Sequence, residues 1–501
     1  MEDNLSKRYL IKLTANLVST LVGVAMVMIV PSSLGPLNYG KFVFIQKFFS
    51  NVFGFLDMGT SIAFFTKLSA KPNRKELILF YLIVSSVILL MALIILKVIV
   101  LFGLNVILMP NIDSYYAYLG LFFLFLSWFS IVFIKISDAY AFTFKVEGIK
   151  ILYKVLSFLF LLLLVFYDLL DLHWYLWFQI ITIGVYIFFL IAFLEKKSVF
   201  VFNKNIQTKL VFNKLVLEFK EFCKPLVIHS LVFVFVGLFD IWFLETTSGT
   251  EETGFYGLAL QISAIGFMVT NAMTSIITRE FSKYYELNNI NQIRRLFIRY
   301  IPMFFSMSII FAVFIMFQSE NLLLIFTDER FLGSKYALII MSFYFGYQIN
   351  IKLIGTLLFA YHKTKEFRNI GVTYMLLGVL LTLIFLGVTK SGAIGLAIKM
   401  LISHFVGSSL IMIYACKLIK LRVYHQFKHQ FLVLAGFVII GYLSFLITEN
   451  IENAIISIIL FLIIYSLMLL LTLYFFPNLF SLDRKELNII FNRIKIPYVK
   501  K

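Results

Sequence analysis

Residues 30–57 read VPSSLGPLNYGKFVFIQKFFSNVFGFLD. The segment leaves one apolar run, passes through Leu34-Gly35-Pro36, and enters a second run that carries Lys47, Asn51 and Asp57 where a membrane helix is ordinarily apolar. Glycine beside proline marks a turn. An ionisable group at the centre of a spanning helix costs about 2.5–3.5 kcal/mol even on the most lenient scale, so its presence points to a purpose.

The rest of the chain supplies the setting. Of 501 residues 61% are hydrophobic and only 14% are charged, and the mean hydropathy is +0.95. A soluble protein of this size could not cover its surface with so little charge. Apolar runs of about 20 residues recur from end to end, which selects membrane helices over the alternating strands of an outer-membrane barrel. The expected class is an all-α polytopic membrane protein with about fourteen spans, near 10–34, 39–66, 78–102, 115–136, 151–167, 174–194, 225–246, 254–278, 300–320, 336–361, 370–388, 392–416, 430–447 and 454–476. The first run is too long for the apolar region of a signal peptide and reads as a span.

The net charge of +18 reflects topology. With the N-terminus inside and the spans alternating, the basic residues collect in the inside loops; only Lys41, Lys47, Lys97, Arg330, Lys335, Lys352, Lys390 and Lys399 fall elsewhere among the 44 lysines and arginines. That is the positive-inside pattern, with both termini cytoplasmic, and it removes the reason to invoke nucleic acid. Cys223 and Cys416 are both placed at inner helix ends, as small apolar filler. The outside connections are short. The largest inside segment, 195–224, contains an amphipathic stretch at 208–222 that predicts an interfacial helix. Tyr39-Gly40 followed by Gln46 is echoed by Tyr256-Gly257 followed by Gln261, which fits two six-helix lobes in parallel orientation. The expected organisation is an N-terminal lobe (1–197), a cytoplasmic amphipathic linker (198–224), a C-terminal lobe (225–420), and two further helices with a basic tail (421–501).

On a helical wheel Lys47, Ser50, Asn51, Gly54, Asp57 and Ser61 share one arc of about 120°, so one face of the second span is polar and must turn from lipid. Lys41 falls on another face and can snorkel. The seventh span carries His229 and Asp240 on one face, with Glu245 expected in solvent at the outer mouth. The eighth carries a stripe of Asn271, Thr274, Ser275 and Thr278. The tenth carries Tyr344, Gln348 and Lys352 at four-residue intervals, and the twelfth Lys399 and Ser403. The candidate substrate-contacting set is Lys47, Asn51, Asp57, Asp240, Asn271, Thr274, Ser275, Gln348, Lys352 and Lys399, with Asp57 and Asp240 as ion-coupling candidates. Intramembrane lysines outnumber the acids, and such a surplus attracts an anion such as a phosphate group.

HExxH, GxSxG, P-loop and GxGxxG patterns are all absent, so no enzyme is expected and no ATP site drives the chain. His425 and His429 are four residues apart in a basic inside loop, without a third metal ligand.

The pattern Pro31-x-x-Leu34-Gly35-Pro36-x-x-Tyr39-Gly40, then Phe55-Leu56-Asp57-Met58-Gly59, then Arg74-Lys75-Glu76-Leu77 resembles the polysaccharide-export branch of the multidrug/oligosaccharidyl-lipid/polysaccharide superfamily, and within it the Wzx-type O-antigen or capsule repeat-unit flippases. The motif covers 30–77; length, short loops and topology agree over the whole chain. The resemblance implies two six-helix lobes around a central cationic cavity, two extra C-terminal helices, and an inner (plasma) membrane location. It implies a flippase that moves a polyprenyl-pyrophosphate-linked oligosaccharide from the cytoplasmic to the periplasmic leaflet by alternating access. No cofactor is implied beyond a coupling H+ or Na+. The implied partners are the lipid-linked oligosaccharide, membrane lipids and other polysaccharide-assembly membrane proteins. This sequence departs from the pattern in using lysine, not arginine, inside the spans. An ion-coupled drug or organic-cation exporter of the same fold is the alternative; a multi-pass polymerase or ligase would need a larger outside loop.

Overall fold

A computed structural model of the chain describes residues 5–70, 74–140, 142–200, 209–265, 268–482 and 484. Sixteen α-helices are present among them: α1 (Leu5–Asp57), α2 (Thr60–Ala70), α3 (Lys75–Leu101), α4 (Asn105–Leu108), α5 (Ser114–Ala139), α6 (Thr143–Phe166), α7 (Leu172–Lys196), α8 (Lys209–Ser248), α9 (Thr250–Ala264), α10 (Met268–Glu286), α11 (Ile290–Phe326), α12 (Lys335–Ala360), α13 (Thr364–Thr382), α14 (Gly392–Leu418), α15 (Val423–Thr448) and α16 (Ala454–Phe475). Twelve helices among the described residues are long and apolar enough to cross a membrane. With α1 counted on both sides of Gly35 and α9 taken with α10, each of the fourteen expected spans has its helix. The protein is an all-helical, multi-pass membrane protein.

Three boundaries differ from the sequence expectation. The first outside turn was expected over 35–38, yet the helix resumes directly at Pro36, and Gly35 alone leaves helical geometry, at φ 70° and ψ 166°. A residue without Cβ takes that conformation freely, and Pro36 then opens a helix without needing an N–H partner. The second span was expected to run unbroken to residue 66. It stops at Asp57, because Met58 (φ 43°) and Gly59 (φ 82°) turn left-handed before α2 begins. The fifth span, read as short, is a full helix, since α6 starts at Thr143.

The chain divides into two compact units, 1–254 and 255–501. In the first, α1 is packed by α5, α6, α7 and α8. Phe42 lies against Tyr175 (4.8 Å between ring centres) and Phe123 (6.3 Å), and Phe53 against Phe125 (5.9 Å). Close approach depends on glycine at Gly40, where an added Cβ would run into the Thr250 carbonyl. Residues 209–222 of the expected amphipathic stretch form the first part of α8, which continues without interruption into the seventh span. Its buried stripe, Leu215, Phe219 and Cys223, is spaced one helical turn apart. Phe219 and Phe212 each lie 5.0 Å from the Phe80 ring, so the stripe docks on α3. Residues 201–208 lie outside the described residues.

In the second unit α12 is surrounded by α10, α11, α13 and α14. Two apolar cores form, one around Phe281, Phe297, Ile354 and Met412, the other around Phe305, Val313, Phe437 and Phe461. Gly407 makes room for the Tyr374 ring, and Gly441 for Val313 and Phe317. Small residues at such crossings let membrane helices gain packing that lipid would otherwise supply. The helix after Thr382 widens into a π-helix over Leu383–Val388. Both cysteines are free and buried, as filler should be.

Candidate functional site

The polar face of α1 meets α8. The Asn51 amide covers Gly237, which has no Cβ to block it. The helices are antiparallel here: Gly40 pairs in level with Thr250, and Asn51 with Gly237. This register sets half-buried Asp240 between the levels of Lys47 and Asn51, one turn outward of the Asn51–Gly237 contact. Lys47, also half-buried, lies on the same side. A lysine, an amide and a carboxylate at one depth, on two touching helices, give unit 1 a polar patch in its spanning region. The His229 side chain lies outside the described residues.

Asp57 has other neighbours. Its Oδ1 accepts from Thr60 Oγ1 (3.0 Å), Ser61 N (3.0 Å) and the Tyr81 hydroxyl (3.1 Å), and its Oδ2 from Ser61 Oγ (2.8 Å). A carboxylate that takes a first-turn N–H is the ordinary device for starting a helix. Asp57 closes the left-handed break and starts α2. Below it, Glu218 Oε2 on α8 lies 3.3 Å from both Lys67 Nζ and Arg74 Nη1, and Arg74 also binds Glu76 at 2.8 Å. Burial acts to raise the Glu218 carboxyl, but hydrogen bonds from Lys67 and Arg74 outweigh it and hold the group below the usual carboxylate range.

Glu245, expected in solvent, is 1% exposed. Its Oε1 accepts from Thr250 Oγ1 (2.6 Å) and Asn111 Nδ2 (3.2 Å). The α8–α9 turn folds back over it, so the carboxylate ties that turn to the loop before α5. Sequence depth alone placed it at the mouth and could not show that the turn covers it.

In unit 2 the buried cation is Lys399, 3% exposed. Its stem lies over Gly378 on α13: a Cβ there would stand 2.8 Å from Cε and 3.3 Å from Nζ. The ammonium is 3.8 Å from Met400 Sδ. One turn on, Ser403 is buried, and the His404 ring meets Tyr344 edge-on (4.6 Å) and Tyr374 at a tilt (5.2 Å), with Nδ1 3.0 Å from the Met400 carbonyl. Three helices, α12, α13 and α14, thus bring together one lysine, one histidine, two tyrosines and a serine. Sequence reasoning missed His404 and Tyr374. Yet a scan for every ionisable residue inside a span would have flagged the histidine.

The expected stripe on α12 divides. Tyr344 is buried, Gln348 is half-buried with its Oε1 enclosed, and Lys352 is exposed. Eight residues advance a helix by two turns plus about 80°, enough to move Lys352 off the face that Tyr344 occupies. On α10 the Thr278 hydroxyl donates to the Thr274 carbonyl at 2.7 Å, which keeps that hydroxyl on its own helix; the Asn271 and Ser275 side chains lie outside the described residues. Among the described residues no group of three or more histidine, cysteine or acidic side chains could hold a metal ion.

Residues 225–384 match the MatE family. No curated protein matches the chain. Among solved structures, the lipid II flippase MurJ in its inward closed conformation is 14% identical and aligns over 94% of this chain and 99% of its own, with a TM-score of 0.68. An inward-facing multidrug resistance MATE family transporter of the MOP superfamily is 16% identical over 82% and 98%, with a TM-score of 0.58. A MOP superfamily transporter from Pyrococcus furiosus, for which reverse polarity of the binding pocket suggests a different function, is 16% identical over 84% and 97%, with a TM-score of 0.53. The fold is the MurJ/MATE fold.

Proposed function

We propose that the chain is a flippase that carries a polyprenyl-pyrophosphate-linked oligosaccharide repeat unit, of O-antigen or capsule type, from the cytoplasmic to the periplasmic leaflet. The observation that carries this reading is the extent of the likeness. A lipid-linked precursor flippase aligns nearly end to end, whereas the MATE transporters leave about a sixth of this chain unaligned. That remainder is close to the length of α15, α16 and the tail. The chemistry supports the same class: the spanning helices carry Lys47, Lys352 and Lys399, and a pyrophosphate crossing hydrocarbon needs such cations.

In this proposal the lysines receive the pyrophosphate, while Asn51, Asn271, Thr274, Ser275 and Gln348 receive sugar hydroxyls. Asp240 is the carboxylate for coupling to H+ or Na+, because it shares a depth with Lys47 and Asn51 on the touching helices, whereas Asp57 starts α2. A membrane potential positive outside favours outward anion movement by about 2.3 kcal/mol per charge per 100 mV.

The test is deletion of the protein in its host, followed by analysis of surface polysaccharide and of lipid-linked intermediates. Loss of the surface glycan with accumulation of the undecorated lipid-linked unit on the cytoplasmic side is expected. Simultaneous replacement of Lys47, Lys352 and Lys399 by alanine should reproduce the deletion while the protein still inserts; full export by that variant sinks the site assignment. The MatE match favours one second reading, an ion-coupled exporter of organic cations. Protection of growth in toxic cations, with the surface glycan unchanged, would establish it instead.

A further inference from the structure

A histidine sits near the midpoint of the spanning helix α14, and the proposed path makes no use of it. His404 is half-buried there. An ionisable ring inside a spanning helix is costly, so its place points to function.

Three observations define its chemistry. First, Nδ1 stands 3.0 Å from the Met400 carbonyl. A carbonyl oxygen can only accept, so Nδ1 carries the hydrogen and Nε2 is the nitrogen that takes up a proton. That proton comes from water and joins the Nε2 lone pair, which raises the charge of the ring by one. Second, Lys399 is close enough to act on the ring electrostatically. Both residues meet α13, the histidine at Tyr374 and the lysine at Gly378, positions one helical turn apart. Ser403 lies between them: its hydroxyl is 3.4 Å from His404 Nδ1, and its Cβ would stand 3.7 Å from a Cβ added at Gly378. Third, α13 widens into the π-helix at Leu383–Val388 one turn after Gly378, a geometry frequent at functional sites.

Each neighbouring element turns a different group toward this cluster. α12 presents Tyr344, which itself interacts with Tyr256 of α9, and α13 presents Tyr374. α14 contributes Lys399, and the π-helix, LIFLGV, brings no ionisable side chain. α15 approaches α14 across Leu434 and Val438, on the side of Leu401, Ile402 and Phe405, and its His429 turns to Ser481. Tyrosine and lysine ordinarily keep one charge state through neutral pH, so the imidazole is the member of this set whose charge changes there.

We propose that His404 takes up a proton as the phosphate end of the substrate binds at Lys399, so that imidazolium and ammonium hold the anion together. This rests on the reading of Lys399 as an anion-binding residue, and it adds a proton site in unit 2 to the carboxylate proposed in unit 1. An anion beside an imidazole favours the charged ring, and by linkage the proton favours the anion to the same degree. Binding that takes up a proton weakens as the pH rises.

The full-length protein in detergent, titrated with inorganic pyrophosphate, provides the test. Calorimetry in two buffers of different ionisation enthalpy counts the protons taken up per pyrophosphate bound; the uptake by pyrophosphate itself cancels between variants. Near neutral pH the wild type should take up more protons than His404→Gln. Between about pH 6 and pH 8 its affinity should fall about tenfold further than that of the variant. His404→Phe keeps a flat ring against Tyr344 and Tyr374 and replaces His404→Gln if the latter does not fold. A histidine that only packs on the tyrosines would leave the proton count unchanged in either variant. Binding that depends on Lys399, with equal proton uptake in the wild type and a folded His404 variant, overturns the proposal and leaves the transport reading standing. Binding that persists unchanged in Lys399→Gln, or is absent from the wild type, overturns the anion reading of Lys399 and this proposal with it.

Discussion

The Tyr81 hydroxyl on α3 donates to Asp57 Oδ1 at 3.1 Å, joining the break after α1 to the next spanning helix. Thr60 and Ser61 take up the remaining capacity of the same carboxylate. Asp57→Ala strips the acceptor from four donors and should lower unfolding free energy by about 1–3 kcal/mol. Asp57→Asn keeps one carbonyl acceptor and should cost less than Asp57→Ala while retaining export. Thermal unfolding in detergent together with an export assay separates these effects; loss of export by a stable Asp57→Asn protein would return the residue to the coupling site.

Glu218 joins α8 to Lys67 and Arg74 at 24% side-chain exposure. Its folded carboxyl titrates below its unfolded value of about 4.3, so the stabilisation is present above that pH and is lost as the pH falls through the folded value. Glu218→Gln should destabilise the protein by roughly 1 kcal/mol at pH 7. The difference from wild type should shrink on acidification below about pH 4, in unfolding curves measured across that range.

Gly378 faces Lys399 through the flexible end of the lysine. Gly378→Ala must displace the ammonium, and in a helix it is itself favourable by up to about 1 kcal/mol. Stability should therefore hold while export falls about tenfold, a loss of about 1.4 kcal/mol in transport barrier. Undiminished export would remove Lys399 from the proposed path.

Two glycines of α1 should respond in opposite ways. Gly40→Ala drives a Cβ into the Thr250 carbonyl, a backbone atom that cannot swing aside, and should cost about 1–3 kcal/mol or block folding. Gly54 is exposed with nothing near its Cβ position, so Gly54→Ala should be neutral or stabilising by about 0.5–1 kcal/mol. Unfolding midpoints of the two variants provide the comparison.

Much of the architecture was legible because hydropathy acts over whole segments. The helix starting at Thr143 and the single-residue break at Gly35 moved boundaries without changing the number of spans. The site was less legible, because a wheel gives direction around one helix and nothing about its neighbours. Lys47, Asn51 and Asp57 share an arc, yet Asn51 meets Gly237 while Asp57 starts α2. Lys352 shares a stripe with Tyr344, and only the tyrosine is buried.

The sequence by itself determined that this chain crosses the membrane repeatedly, because the cost of exposing apolar or charged groups to the wrong solvent is set residue by residue. Tertiary structure decided which charges are held in place. Glu245 passed from an expected solvated acid to one enclosed by Thr250 and Asn111. Lys399 gained a cleft above Gly378 beside His404. In residues 30–57 the polar face acquired different partners at each turn, because a side chain's role in a membrane helix depends on which backbone lies close enough to meet it.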